Sequence, residues 1–164
     1  MIKKITKADA SSAIILIRIM VGAVFLSEGL QKFIYPQLRG AGRFAQIGFP
    51  DPVFWGYFVG TVEIIGGILL LLGLMTRLGA FALFIDMTVA ILITKIPILL
   101  GHGLWIFDVR ELAFYNFWSF AHEVRTDWAM WLGSLFLIYK GGGKWSIDSY
   151  FLSNKKEPSE QKYA

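Results

Sequence analysis

Three apolar runs, each long enough to cross a bilayer, constrain this chain more than any other feature. They cover about Ala13–Tyr35, Val53–Met75 and Leu78–Leu100. A helix needs roughly 20 apolar residues to span about 30 Å of hydrocarbon, and only helices and closed barrels satisfy their backbones there. A shorter apolar stretch, 128–140, makes a fourth span if its flanking Trp residues sit at the interface and Lys140 snorkels. Pro97 is expected to bend or end the third helix. The first run follows a basic start, "MIKKITK", as in a signal peptide. It is too long for one and no small-residue cleavage site closes it, so it reads as a retained helix.

The connections complete the layout. Residues 36–52 hold Gly40, Gly42, Gly48 and "FPDP", a loop signature. Between Gly101 and Asp127, the residues Asp108, Glu111, Tyr115, Ser119 and His122 recur every three or four positions among aromatic and aliphatic residues. That pattern predicts an amphipathic helix lying in the interface. A fifth span is the competing reading, opposed by Asp108, Arg110 and Glu111. The fold class is therefore all-α: an integral membrane four-helix bundle with one interfacial helix between helices three and four. One domain is expected over 1–152, and a disordered polar tail over 153–164. Lys3, Lys4, Lys7, Arg77, Lys140, Lys144, Lys155, Lys156 and Lys162 fall on one side of this topology, against Arg39, Arg43, Arg110 and Arg125 on the other. The excess predicts both termini in the cytoplasm and the chain in the cell (inner) membrane.

Composition narrows the chemistry. The chain is 55% hydrophobic and only 17% charged, with no cysteine in 164 residues. Disulfides, dithiol redox cycles and Cys-ligated zinc or iron–sulfur centres are excluded for this chain alone. The net charge of +4 does not point to nucleic acid, because the basic residues cluster at the ends of apolar runs. His102 and His122 both fall in the outer loop, which disfavours a bis-histidine haem; no metal-ligand set is identified.

The informative residues are the charges inside the spans: Arg18, Glu28, Lys32, Glu63, Asp86 and Lys95. A charge in hydrocarbon costs at least about 2.5 kcal/mol and usually marks a function. Lys95 lies near a helix end and can snorkel. Depth along the helices pairs Arg18 with Asp86, and four-residue spacing pairs Lys32 with Glu28. Arg18 and Lys32 face three acids, so one acid, Glu63 or Glu28, is expected to hold or share a proton. Arg18, Glu28, Lys32, Glu63 and Asp86 form the candidate polar pocket for a ligand or protons. Interhelical glue is the bland alternative. Catalytic residues are not identified. Gly22, Gly29, Gly56, Gly60, Gly66 and Gly67 read as helix-packing positions, and Glu111 and His122 as loop candidates.

Three motifs in order carry a resemblance. The first helix reads Arg18-xxx-Gly22-xx-Phe25-xxx-Gly29-xx-Lys32. The second reads Gly60-xx-Glu63-xx-Gly66-Gly67, followed by Gly73 and Thr76-Arg77. The last helix is followed by "GGGKWSID", Gly141–Asp148. Together they resemble the DoxX family of small membrane proteins, from about Arg18 to Tyr150, with an outer loop longer than the family pattern. The resemblance implies a four-helix membrane protein. Some relatives are subunits of a thiosulfate:quinone oxidoreductase, others belong to assemblies that handle oxidative or thiol stress, and distant ones are chaperones or cargo receptors. The expected function is thus an accessory or quinone-interacting subunit of a membrane oxidoreductase. Quinone is the candidate cofactor, and lipid, a partner oxidoreductase subunit and a second copy are the candidate partners. Whether the chain is itself an enzyme stays open. The alternative is a non-enzymatic assembly factor, chaperone-like protein or lipid or small-molecule binder.

Overall fold

The computed structural model describes residues 11–154. The elements run α1 (Ile14–Ile34), the short α2 (Ala41–Ile47), α3 (Pro52–Leu72), α4 (Thr76–Leu100), α5 (Phe117–Lys140) and α6 (Ile147–Asn154). No strand occurs among the described residues; an isolated bridge joins Leu104 to Phe107. Helices α1, α3 and α4 are long and apolar enough to cross a membrane. The proposed tail lies largely outside the described residues.

Local chemistry sets the helix ends. Asp51 caps α3 by accepting from the Phe54 N–H at 3.2 Å, and Pro52 occupies the first turn, where its missing N–H costs nothing. Asn116 does the same for α5, accepting from Ser119 N–H at 2.9 Å. Glycines in the left-handed region end α3 and α4 (Gly73, φ 67°; Gly101, φ 75°).

Four long helices pack together through small residues and a narrow core. A Cβ on Gly22 would stand 3.0 Å from the Gly67 carbonyl, and one on Gly29 2.8 Å from the Gly60 carbonyl, so α1 and α3 meet backbone to backbone. Gly66 seats Leu83 of α4. Gly56 lies against the backbone of Ala41, which lets α2 rest on α3. Val21, Phe25, Leu70, Leu83 and Leu137 fill the centre and are fully buried. Helix α4 meets α5 through Phe84 and Trp131, whose indole donates to the Thr88 hydroxyl at 2.9 Å. Leu16, Ile34, Phe54, Ile65, Phe81 and Ile85 are exposed around the outside, as side chains bathed in lipid are.

Two sequence expectations change and a third is narrowed. Pro97 does not end the third helix. The chain widens into a π turn over Ile91–Lys95 and continues to Leu100. A ring that removes one N–H and crowds the preceding turn is accommodated by such a bulge. The interfacial helix is not formed as expected: residues 101–116 are irregular, and Ser119 and His122 belong to α5. The irregular segment is pinned instead by Asp108 N–H donating to the Ile47 carbonyl at 2.8 Å and by Phe107 against Phe49. Consequently the last helix is not short; it has 24 residues. Its polar first turns, not its length, keep it out of the apolar class.

Candidate functional site

The ionisable residues of the spans separate into two clusters. The first, at the end of the bundle where α1 begins and α3 ends, is a structural knot. Arg18 is 2% exposed and donates to four backbone carbonyls: Leu70 and Leu71 at 2.8 Å, Gly142 at 2.9 Å and Trp145 at 2.5 Å. The first two lie in the last turn of α3, where Leu70 also accepts from the Gly73 N–H at 3.1 Å and where a cation meets the negative end of the helix dipole. The pairing of Arg18 with Asp86 is therefore corrected. Helix ends that lack partners outcompete a carboxylate on another helix, because a fork of five donors satisfies several carbonyls at once.

Asp148 completes the knot. Its carboxylate accepts from Met75 N–H at 2.8 Å and from Thr76 N–H and hydroxyl, each at 3.0 Å, capping α4. Those bonds hold Met75 at φ 45°, a conformation costly for a side chain with a Cβ. A Cβ on Gly73 would lie 2.5 Å from the Arg18 guanidinium, so both φ and space require glycine there. The ending "GGGKWSID" thus supplies two carbonyls to Arg18 and a cap to α4.

The second cluster lies in the opposite half of the bundle. Lys32 Nζ of α1 meets Glu63 Oε2 of α3 at 2.5 Å, with the side chains 11% and 7% exposed. This corrects the expected Lys32–Glu28 pair. The Gly29–Gly60 crossing brings α3 so close that Lys32 turns across it instead of back along its own helix. Glu28 is exposed on α1, within electrostatic reach of Glu63 and Arg43. Ser27 and Gln31 bond each other beside it. Asp86 of α4 is half-buried, in the field of Lys32 and Glu63, and makes no hydrogen bond among the described residues.

A third set, at the rim furthest from Arg18, was only partly legible. Lys95 reaches Asp127 at 3.2 Å and Glu123 at 3.9 Å, and Glu123 also binds Arg110 at 3.0 Å. Burial, then the neighbouring Arg110 and Arg39, push the Arg43 pKa down, against Asp127 and Glu28. Glu123 and Asp127 sit four residues apart, so once α5 is known to begin at Phe117 their shared face is readable. Glu111 is exposed and joins no cluster. His122 is exposed, and its carbonyl accepts from Arg125.

The sequence model of the DoxX family matches residues 13–96, which contain Arg18, Lys32, Glu63 and Asp86. The chain belongs to the DoxX family. An uncharacterised membrane protein of Mycobacterium tuberculosis is 46% identical over 145 residues, 88% of this chain and 85% of that protein. A Haemophilus influenzae protein is 28% identical over 135 residues, 82% of this chain and 87% of its own length. CatD of Bacillus subtilis, provisionally named an oxidoreductase, is 25% identical over 143 residues, 87% of this chain and 89% of that protein. No solved structure matches the chain. This DoxX-family chain is a membrane protein, and its Arg18 knot accounts for much of what the motifs encode.

Proposed function

We infer that this DoxX protein is a quinone-interacting accessory subunit of a membrane oxidoreductase system, with Lys32, Glu63 and Asp86 as the head-group site. In this reading α5 is the fourth span of a bundle in the inner membrane and both termini are cytoplasmic. The observation that carries it is the buried Lys32–Glu63 pair at 2.5 Å with the unbonded Asp86 on the next helix. A quinone carbonyl accepts a hydrogen bond from an ammonium, and its reduction to quinol takes up two electrons and two protons. Lys32 orients the carbonyl, while Glu63 and Asp86 pass protons. The electrons come from a flavin- or metal-bearing partner, since this chain has no thiol of its own. The oxidoreductase name of the CatD relative agrees with that association.

The test is solvent extraction of the protein purified in mild detergent, with quinone analysis and binding of added benzoquinone. Quinone is expected with the wild type and is lost or much reduced in Glu63→Gln. No quinone in either preparation, and no binding, overturns the reading.

One observation favours a non-enzymatic alternative, an assembly or chaperone-like role. Arg18 shows that a buried charge in this fold can serve packing alone, and Lys32–Glu63 also spans a helix crossing. Under that reading Glu63→Gln weakens the bundle, and a stable client protein is captured without any bound quinone.

A further inference from the structure

A narrow cleft of about 280 Å³ opens between α3 and α4, lined by Phe58, Val62, Ile65, Leu69, Leu78 and Ala82. Its walls are entirely apolar. Thr61, which also lines it, spends its hydroxyl on the Tyr57 carbonyl at 2.8 Å. Gly66 and Gly79 make the space, because neither places a side chain between the helices. Ile65 and Leu78 at its rim are half-exposed, so the cleft faces the same surroundings as the lipid-bathed side chains.

The register of α3 against α4 decides where the cleft leads. Gly66 sits on Leu83 and Gly79 on Leu69. The helices are antiparallel, so one turn further out Val62 and Glu63 stand level with Asp86. Asp86 follows Ala82 by four residues and continues the α4 wall of the cleft by one turn. An apolar slot therefore runs up to a carboxylate that has no hydrogen-bond donor among the described residues, with the Lys32–Glu63 pair behind it. The outer approach, by contrast, passes Lys95, Glu123, Asp127 and Arg43, where an apolar tail has no place.

The geometry points to lateral entry: a lipid-soluble ligand slides in from the bilayer between α3 and α4, its flexible apolar tail in the cleft and its head between Lys32, which donates to a quinone carbonyl, and Asp86, which accepts from a quinol hydroxyl. This rests on the quinone reading and adds the route and the tail site. The tail contributes affinity in proportion to the apolar area it buries. A tail-less ring is accordingly expected to bind at least roughly tenfold more weakly than a decyl-tailed one.

The experiment uses the full chain in nanodiscs, a benzoquinone with a photoreactive group on its decyl tail, and mass spectrometry of the cross-linked peptides. Cross-links are expected on Phe58–Leu69 and Leu78–Ala82, competed by decyl-benzoquinone and not by the tail-less ring or added phospholipid. Ala82→Phe, which fills the slot, is expected to weaken tailed-quinone binding by about tenfold and leave the tail-less ring unaffected. Leu78→Trp at the exposed rim is the second variant should Ala82→Phe not fold. Tailed quinone that binds but labels other segments, or keeps its affinity in the folded variant, overturns the cleft and leaves the function standing. Competition by phospholipid overturns it too, marking the cleft as ordinary lipid contact. Failure of both quinones to bind overturns the cleft together with the reading beneath it.

Discussion

Arg18 and Lys32 are two cations on one apolar helix with opposite solutions. Arg18 spreads its charge over four carbonyls, whereas Lys32 puts a point charge on one carboxylate. Arg18→Lys keeps the charge and loses the fork, leaving buried carbonyls unsatisfied, so it is expected to cost about 2 kcal/mol or more. Unfolding followed by circular dichroism in mixed SDS and mild detergent reads this; a change near zero would show that the carbonyls find other donors. For the ion pair, Lys32→Met alone strands the Glu63 carboxylate and is expected to cost about 3–5 kcal/mol. Lys32→Met with Glu63→Leu is expected to recover most of that, measured in the same assay. A double variant as unstable as the single one would rule out stranded charge as the cause. Arg18, Lys32, Glu63 and Asp86 were legible as charges inside the bundle, whereas Glu28 is exposed, and the partners were not legible. Four-residue spacing says what meets on an isolated helix, and it missed Glu63 because that residue arrives from another one.

At the scale of elements, glycine positions were readable and their consequences were geometric. Gly29→Ala would place a Cβ 2.8 Å from a backbone oxygen of α3 that cannot move alone, whereas Gly79→Ala meets the Leu69 side chain at 3.1 Å. The first is expected to lose about 1–3 kcal/mol by forcing the helices apart and the second distinctly less. Parallel SDS unfolding curves compare them, and equal losses would contradict backbone contact at the α1–α3 crossing. The same scale explains the two misjudged elements. Polar residues at helical spacing between 108 and 122 suggested one interfacial helix, yet the first half pairs with α2 through Asp108 and the second half begins α5. Periodicity reports which face is polar; it does not report where a helix starts when the cap is a single Asn116. Pro97 was a correct sign of irregularity, resolved by a π turn and not by a stop.

The whole molecule is tight at one end and charged at the other. The tight end is tied by Arg18, Gly73, Thr76, Gly142 and Asp148, which join α1, α3, α4 and the start of α6 with the segment before it. The other half holds the Lys32–Glu63 pair, Asp86 and the Lys95–Asp127 rim. If both termini are cytoplasmic, the loop around Ile106 faces outward and α6 faces inward. The absence of cysteine makes this directly measurable. In intact cells, Ile106→Cys is expected to react with a membrane-impermeant maleimide, and Ser149→Cys only after permeabilisation. The reverse pattern would invert the topology.

The sequence by itself determined the solvent and the element type. Apolar runs of this length must lie in lipid, and in lipid a chain without edges to pair must be helical. It also determined which positions are chemically expensive, since charge in hydrocarbon is conspicuous in any one-dimensional reading. The pairing of those charges was decided by tertiary structure alone. Whether an arginine meets an aspartate or the open end of a neighbouring helix depends on where helices cross and how far they are rotated, and residues far apart in sequence set both. The same crossings open an apolar cleft between α3 and α4 that no linear pattern announces.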